Sequence, residues 1–353
     1  MRESARVSPR RTRRTFFACA AAVMAFLTGA CGTGELPQNI LDPEGPVARK
    51  LDRLWDPTFL IATVIFFLVE GLVVFVVFRY RARGDDDAPK QIHGNARLEL
   101  AWTIAPAAIL AFVGVLTLAT LFDVNEKAAG SDVVNIELTG HQWWWEYEYT
   151  DLDIVTANEL HIPVGRPVQL AMTSADVIHA FWPPKLAGKV DVVPGRTNHM
   201  QIEADEPGEF WGQCTEYCGL SHGYMRLRVI AHDKPGWDEW VASQQRPAAE
   251  PSPSDADAAA GKELIVTKGC GGCHAINGYE GVAGQVGPDL THFAARKRFA
   301  GATFDVNERN LRKWLRDPPA MKPMDPENGQ GMPNLGLTED EITKLIAYLE
   351  TLK

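Results

Sequence analysis

Four side chains that bind soft metals lie close together in residues 212–225, which read GQCTEYCGLSHGYM. Cys214 and Cys218 are followed within the same short stretch by His222 and Met225. A disulfide would use both thiols but leave the imidazole and the thioether without a role. Zinc would take the thiolates and the imidazole, yet a thioether is a poor zinc ligand. Thiolate, imidazole and thioether together are the set that selects copper, so the stretch favours a copper site.

A further imidazole lies upstream, at His179 in the segment SADVIHAFW. Cupredoxins bind a single copper ion through two histidines, one cysteine and a weak axial methionine. With His179 added, this chain offers that set together with one extra thiolate. The extra cysteine suits two copper ions that share two bridging thiolates, so we expect a dinuclear copper centre.

A second pair of cysteines, Cys270 and Cys273, is followed directly by His274. C-x-x-C-H is the attachment signature of c-type haem, in which the thiols bind the vinyl groups and the histidine takes one axial position of the iron. A thioredoxin-like redox pair would need a βαβ context, whereas the flanking segments have helical patterns. The last of them begins with a capping box of Thr338 and Glu341. The motif therefore predicts one covalently bound haem c.

The segment from 258 to 353 resembles a class I cytochrome c over its whole length. That resemblance places the second axial ligand in the loop before the C-terminal helix, which points to Met332 in GMPNLGLTEDEI. Met324 is the alternative, and Met321 is the remaining candidate. Pro288, in VGPDL, matches the residue whose carbonyl orients the ligating histidine. A histidine and a methionine together raise the haem potential, which suits donation of electrons to copper.

The elements that must position these residues begin with an N-terminal segment, residues 1–31, that has the organisation of a secretory signal. Arginines precede an apolar run from Phe16 to Ala30, shorter than the roughly 20 apolar residues that span a bilayer. The end of the run resembles a bacterial lipoprotein box, in which Cys31 is lipidated and becomes the first residue of the mature chain. Thr28 stands where an aliphatic residue is usual, so simple cleavage and retention of the segment stay open.

Two longer apolar segments follow within residues 32–130. One covers about 58–78 and the other about 104–122, and each is long enough for the ~30 Å hydrocarbon layer. The loop between them is rich in arginine and lysine, so the positive-inside rule predicts that it faces the cytoplasm. We therefore expect a transmembrane hairpin in a bacterial plasma membrane, with the large C-terminal region on the outer side.

The rest of the chain divides into a β-rich part and a helical part, which makes it a multidomain membrane protein. Residues 131–233 contain short segments rich in β-branched and aromatic residues, separated by turn sequences such as VVPGR. This pattern predicts an antiparallel Greek-key sandwich or barrel. Residues 234–257 are expected to be a linker, because 243–257 is rich in Pro, Ser, Ala and Asp. Residues 258–353 are expected to form an all-α domain.

The motif C-x-E-x-C-x3-H-x2-M, the segment GHQWWWEYEY and the two-span hairpin resemble subunit II of the haem–copper cytochrome c oxidases, over residues from about 50 to 233. The resemblance implies a cupredoxin domain that holds the dinuclear copper centre called CuA. Carried over by position, the implied copper ligands are His179, Cys214, the backbone carbonyl of Glu216, Cys218, His222 and Met225. Electrons would enter the oxidase through this chain, and oxygen would be reduced in subunit I.

The same resemblance assigns roles to four further groups. The carboxylate of Glu216 would reach a magnesium or manganese ion shared with subunit I, near Asp191. Trp143, the first of three consecutive tryptophans, matches the residue through which electrons enter the copper centre. Glu99 matches a carboxylate at the mouth of a proton channel in subunit I, although a residue at this membrane edge is also suited to be a solvated helix cap.

The implied partners are subunit I with its haem a and copper, subunit III, and a donor that is either a cytochrome c or a bc-type complex. Oxygen reduction would be coupled to proton translocation. The copper subunit of a nitric-oxide reductase and a copper-carrying membrane lipoprotein are the alternatives, whereas a quinol oxidase subunit would lack the copper ligands. The net charge of −10 argues against nucleic-acid binding.

A charge contrast suggests how the two C-terminal domains meet. Residues 132–233 have an excess of Asp and Glu, whereas the haem-type domain carries a basic cluster. The basic cluster consists of Arg296, Lys297, Arg298, Arg309, Arg312, Lys313 and Arg316. Opposite charges and a flexible tether favour transient docking of one domain on the other, while the alternative is two ordinary solvated faces.

Overall fold

The computed structural model describes residues 36–81, 91, 94–126, 128, 130 and 132–353. The signal segment with Cys31 lies outside these residues, as does the middle of the basic loop between the two apolar segments. The described part consists of two apolar helices, a β-sandwich and a helical domain, in that order along the chain. This architecture confirms the predicted fold class.

The two apolar helices are longer than the predicted spans that they contain. Helix α1 covers Pro46–Arg79 and helix α2 covers Ala96–Val124. Both are long and apolar enough to cross a membrane, and their apolar stretches are not buried inside the protein. The exposed Leu, Val, Ile and Phe side chains along them suit a lipid environment, where all backbone groups must be hydrogen-bonded within the helix.

The first turn of α1 belongs to the β domain rather than to the membrane. Val47 and Ala48 are buried there, and the Ala48 amide donates to the carbonyl of Leu186 at 3.1 Å. Arg49 forms an ion pair with Asp205 at the same base. The helix therefore enters the sandwich directly, and its first turn packs as part of the β domain.

Ten strands form two five-stranded sheets in the part of the β domain that the structure describes. The strands are β1 (Val134–His141), β2 (Trp144–Tyr149), β3 (Ile154–Ala157), β4 (Glu159–Pro163), β5 (Val168–Ser174), β6 (His179–Trp182), β7 (Val190–Val192), β8 (Asn198–Ile202), β9 (Gly208–Cys214) and β10 (Arg226–His232). One sheet has the order β3-β2-β1-β5-β8 and the other β4-β10-β9-β6-β7. The two sheets enclose one apolar core, as predicted for a sandwich.

Strand direction departs from the prediction in two places. β1 runs parallel to β5, and β4 runs parallel to β10, although we expected antiparallel pairing throughout. The alternation in β1, where Ile136 and Leu138 are buried and Asn135 and Glu137 are exposed, identifies the face that meets the core. It does not report the direction of a neighbouring strand, so the sequence pattern fits either pairing.

The expected linker is helical in its first half. Helix α3 spans Lys234–Gln244, where Trp237 is buried and Trp240 stacks on the ring of His161 with centroids 4.5 Å apart. The two tryptophans lie on one helical face and pack against the sandwich. A linker beginning at residue 234 was therefore wrong, because the Pro-rich composition that excludes a packed helix starts only after Gln244.

The C-terminal domain is built from four helices and a small hairpin. They are α4 (Ala256–Thr267), β11 (Arg298–Phe299), β12 (Phe304–Asp305), α5 (Glu308–Arg316), α6 (Pro318–Met321) and α7 (Glu339–Leu349). The predicted capping box of Thr338 and Glu341 starts α7. Helices α4 and α7 cross at Gly261, where a Cβ would lie 2.0 Å from the carbonyl oxygen of Lys344. The crossing therefore requires glycine at this position.

Replacing Gly261 with alanine should destabilise the C-terminal domain by about 1–3 kcal/mol, because the two helices must move apart. Thermal unfolding of the purified chain, followed by circular dichroism, measures the effect. Ala259→Ser is the matched control, since Ala259 is exposed on the same helix as Gly261. Equal unfolding temperatures for the two variants would contradict the close crossing.

Candidate metal and cofactor sites

The predicted copper ligands converge because three strands of one sheet are neighbours. His179 begins β6, Cys214 ends β9, and Met225 directly precedes β10. β9 lies between β6 and β10, and the Cys214 amide donates to the Met225 carbonyl at 2.9 Å. The β9–β10 loop then folds Cys218 and His222 back over the strand ends. Sheet order thus brings a histidine from 35 positions upstream onto the cysteine loop.

Three groups that can act as metal ligands surround the sulfur of Cys214. The Sγ of Cys218 lies 3.8 Å away, the Nδ1 of His179 4.0 Å away, and the backbone carbonyl oxygen of Glu216 3.2 Å away. Cys214 and Cys218 are both buried, and His179 is fully so. These three side chains also form the one cluster of His, Cys, Asp and Glu groups with metal-ligand spacing in the described part of the chain.

The sulfur of Cys218 has a matching set of neighbours. The Nδ1 of His222 lies 3.6 Å from it, and the Sδ of Met225 lies 3.8 Å from it. Each sulfur therefore has its own imidazole and its own weak donor, a carbonyl on one side and a thioether on the other. This paired arrangement of soft donors fits two copper ions better than a single zinc ion, which the thioether would not suit.

The two thiols are coupled by their contact. Donation from Cys218 lowers the pKa of the Cys214 thiol to about 4, and the same contact raises the pKa of the Cys218 thiol. Burial lowers the pKa of the His179 imidazole, but the hydrogen bond to Asp176 and the contact with Cys214 outweigh it and raise the pKa overall. A buried thiolate at Cys214 favours the binding of a cation at this site. A bound metal ion would in turn promote loss of the proton from the Cys218 thiol.

Asp176 is a site residue that the sequence interpretation missed. Its Oδ1 lies 2.8 Å from the Nε2 of His179, and the carboxylate also accepts backbone N–H groups from Gln142 and Val177, each at 2.6 Å. The contact leaves the Nδ1 of His179 free to face Cys214. A carboxylate that holds the second nitrogen of a ligating histidine is common at metal sites. The sequence signal that could have identified Asp176 is its position three residues before His179.

The three consecutive tryptophans have different surroundings, and the first of them contacts the β9–β10 loop, here called the copper loop (residues 215–225). Trp143 is buried, and its Nε1 donates to the backbone carbonyl of Cys218 at 2.9 Å. Trp144 stacks on His141, with ring centroids 4.1 Å apart. Trp145 packs edge-on against Phe181 in the sandwich core. Of the three, Trp143 therefore makes the hydrogen bond to a residue of the ligand loop.

The predicted haem-attachment motif borders a cavity of about 430 Å³ that is lined mainly by apolar groups. Cys273 and His274 line it, while Cys270 packs against the core of the C-terminal domain. The Nδ1 of His274 lies 2.7 Å from the carbonyl oxygen of Pro288, which leaves Nε2 for a metal. Burial lowers the pKa of His274 and so favours the neutral imidazole that binds iron. These features fit a covalently attached haem.

Two of the three candidate methionines line the same cavity. Met332 packs against the core of the C-terminal domain, and the indole Nε1 of Trp314 donates to its sulfur at 3.2 Å. Met324 packs instead against the core of the β-sandwich. Met321 is not among the residues that line the cavity. The packing favours Met332 as the ligand from within the haem domain.

The three predicted acidic residues lie on the surface. Glu216 turns its carbonyl toward Cys214 while its side chain is exposed, and Asp191 is exposed on β7. Glu99 lies in the first turn of α2, where its carboxylate accepts the backbone N–H of Asn95 at 3.2 Å. Glu99 thus has the end-cap contact that the sequence left open, and its exposure also leaves the carboxylate accessible.

We expect Asp176→Asn to weaken copper binding by about 10- to 100-fold, because His179 loses the partner that fixes its ring. Equilibrium competition with a copper chelator measures the affinity, and the copper hyperfine pattern reports the ligand geometry. Glu148→Gln removes an exposed carboxylate from the same sheet region as a control. If both variants bind copper with the same affinity, Asp176 does not position His179.

Three family profiles match consecutive parts of the chain. Residues 35–120 match the transmembrane domain of cytochrome c oxidase subunit II, and residues 152–232 match the periplasmic domain of the same subunit. Residues 258–353 match cytochrome c. The profile of the periplasmic domain implies copper in the sandwich, and the cytochrome c profile implies haem in the C-terminal domain.

Two relatives match over nearly the whole chain. Cytochrome c oxidase subunit 2 of Alkalihalophilus pseudofirmus is 38% identical over 339 residues, covering 93% of this chain and 94% of the relative. That of Bacillus sp. strain PS3 is 34% identical over 352 residues, covering 94% and 95%. The crystal structure of the periplasmic domain of subunit II from Bradyrhizobium japonicum is 31% identical over 34% of this chain and 96% of that chain, with a TM-score of 0.32. The chain therefore belongs to the cytochrome c oxidase subunit II family and carries a cytochrome c domain at its C-terminal end.

Proposed function

We propose that electrons enter a bacterial terminal oxidase through this chain. It takes them from a donor cytochrome c or a bc-type complex and delivers them to subunit I, where reduction of oxygen to water is coupled to proton translocation. The observation that carries the proposal is the position of Trp143. Trp143 lines the haem cavity, and its indole donates to the carbonyl of Cys218 in the copper loop. One residue thus borders both candidate redox sites.

The cofactor assignments follow the donor groups. His179, Cys214, the carbonyl of Glu216, Cys218, His222 and Met225 would hold two copper ions as CuA, and Cys270, Cys273, His274 and Met332 would hold one haem c. When bound, these groups supply one-electron oxidation and reduction. The protein supplies rigidity. Asp176 and Pro288 fix the imidazoles of His179 and His274, and the burial of the two sulfurs excludes water from the copper site.

Short connections lead from the haem cavity to the copper loop. The cavity wall on the sandwich side includes the consecutive residues His141, Gln142, Trp143 and Trp144. The side-chain amide of Gln142 also donates to the Cys218 carbonyl, at 2.7 Å. Cys218 is itself a proposed ligand. An electron that reaches Trp143 is therefore one hydrogen bond from the backbone of a copper ligand.

The surface residues suit contacts with the rest of the complex. The exposed carboxylate of Glu216 lies beside the copper loop and, with Asp191, would face a magnesium or manganese ion at the boundary with subunit I. Glu99 starts α2 next to the basic loop, at the end of the hairpin away from the sandwich, and would face a proton channel there. We place the sandwich and the haem domain on the outer side of the plasma membrane, with subunit III among the partners and Cys31 as the lipidation site.

Replacing Met332 with alanine should lower the reduction potential of the haem, because an axial methionine raises it. Redox titration of the visible haem bands measures the change. Met324→Ala is the matched control, since Met324 lines the same cavity but packs on the sandwich. A potential that falls in the Met324 variant and not in the Met332 variant would reverse the assignment.

Trp143→Phe should slow transfer from haem to copper, because phenylalanine cannot donate to Cys218. Flash reduction of the haem in the purified complex, followed by its reoxidation, gives the rate. Trp144→Tyr is the control, since Trp144 lines the cavity without bonding to Cys218.

Spectra of the same preparation test the proposed function itself. Mixed-valence dicopper hyperfine structure with haems a and c is expected, whereas absence of haem a would indicate a nitric-oxide reductase or a copper carrier instead.

A further inference from the structure

The sandwich inserts one buried carboxylate into the haem domain. Glu159, the first residue of β4, is 1% exposed. Its two carboxylate oxygens accept the backbone N–H groups of Arg298 and Lys297, at 2.8 and 3.1 Å. Burial raises the pKa of Glu159, and these two hydrogen bonds oppose that rise. The backbone of the haem domain therefore satisfies a charged group that belongs to the other domain.

The haem domain inserts one buried amine in return. Lys322, directly after α6, is 3% exposed. Its Nζ donates to the backbone carbonyl of Trp143 at 2.6 Å and to that of Ala300 at 3.1 Å. Burial lowers the pKa of Lys322 to about 7. Its hydrogen-bond partners are carbonyl oxygens, one from each domain, and the sandwich carbonyl is that of the residue proposed to receive electrons.

Between these two contacts the main chains of the domains approach closely. The amide of Arg226 in the sandwich donates to the carbonyl of Gly301 in the haem domain at 2.9 Å. Gly301 has φ of +75°, and a Cβ there would lie 2.5 Å from the Tyr224 carbonyl and 2.8 Å from the Trp143 carbonyl. No side chain fits at this point. The contact is therefore a built interface and not a loose encounter of two surfaces.

The basic cluster predicted from the sequence does not act as one docking patch. Lys297 pairs with Glu209 of the sandwich at 3.1 Å, and Arg298 lies over the ring of Trp211. Arg312 and Arg316 instead pair with Glu339 inside their own domain. Long-range attraction between an acidic domain and a basic cluster thus explains only part of the arrangement.

We propose that Glu159 and Lys322 are positioning residues that hold the haem domain in a single docked pose over Trp143. The inference rests on the proposed function and adds that transfer needs no docking step. A buried charge is tolerated only where its partners are in place, so a shifted pose would leave both groups unpaired. The two residues therefore select one pose, while the main-chain contact and the apolar packing hold the domains together.

The pose has a kinetic consequence. Transient docking of charged surfaces weakens as salt screens their attraction, whereas buried hydrogen bonds are screened much less. Transfer from a permanently docked haem domain should therefore proceed as a single kinetic phase whose rate is insensitive to ionic strength and to solvent viscosity.

The test uses the full-length chain in its purified complex, with flash reduction of the haem at low and high salt. The variants are Lys322→Met and Glu159→Gln, one from each side of the interface. Lys313→Met and Glu137→Gln are matched controls that remove the same charges from exposed positions in the same domains. Haem and dicopper spectra of each protein report that both centres are assembled.

The wild type and both controls should show one salt-independent phase. Each interface variant loses a hydrogen bond to a charged group, which should reduce the equilibrium constant for docking by about tenfold or more and add a slower, salt-dependent phase. Combining the two variants should enlarge that phase. A wild-type rate that falls with salt, or variants that match their controls, would overturn the inference while leaving the proposed function intact. Absence of either metal centre from the wild type would instead overturn the proposed function.

Discussion

Two hydrogen bonds to the buried carbonyl of Cys218 join the copper loop to the aromatic segment of the sandwich. The indole of Trp143 donates one at 2.9 Å and the side chain of Gln142 donates the other at 2.7 Å. A buried carbonyl without a partner would cost free energy, so both segments must adopt their conformations together. Gly219 has φ of +109°, and a Cβ there would lie 3.2 Å from the Trp143 ring. The same contact thus shapes the ligand loop and places the tryptophan.

From this junction the structure extends in two directions. Toward the apolar helices, the first turn of α1 is buried in the base of the sandwich through Val47 and Ala48, so α1 continues into the domain that carries the copper loop. Toward the C-terminus, Lys322 reaches the carbonyl of Trp143. The haem cavity therefore ends at the residue that contacts the copper loop. In the proposed function, rigid contacts on both sides would favour fast electron transfer, because little would have to move when charge changes.

Chemistry carried by neighbouring residues was predictable from the sequence. The cysteine loop and the C-x-x-C-H motif contain most of their ligands within a few positions, and ligand type alone favours copper and haem. The transmembrane hairpin followed from apolar length, and the sandwich followed from alternation. His179 was identified because a second imidazole was required, and the structure brings it to the loop through the order of β6 and β9.

Features that depend on distant contacts were not predictable. Lys322 and Trp143 are 179 positions apart, and Glu159 and Arg298 are 139 apart, so no local pattern connects them. Strand direction was also hidden, since alternation reports burial alone. Helix α3 fell within the expected linker because composition does not reveal that Trp237 and Trp240 pack on the sandwich. Each of these features is determined by packing between elements that are far apart in the sequence.

The central claim is that electrons reach copper through the haem of the same chain. Anaerobic stopped-flow mixing of the purified complex with a reduced donor cytochrome, with haem c and copper absorbance recorded separately, tests it most directly. The haem should be reduced first, and copper should be reduced only as the haem is reoxidised. In a Cys270→Ser, Cys273→Ser variant without attached haem, copper reduction by the donor should be lost. Copper reduction at an unchanged rate in that variant would contradict the account.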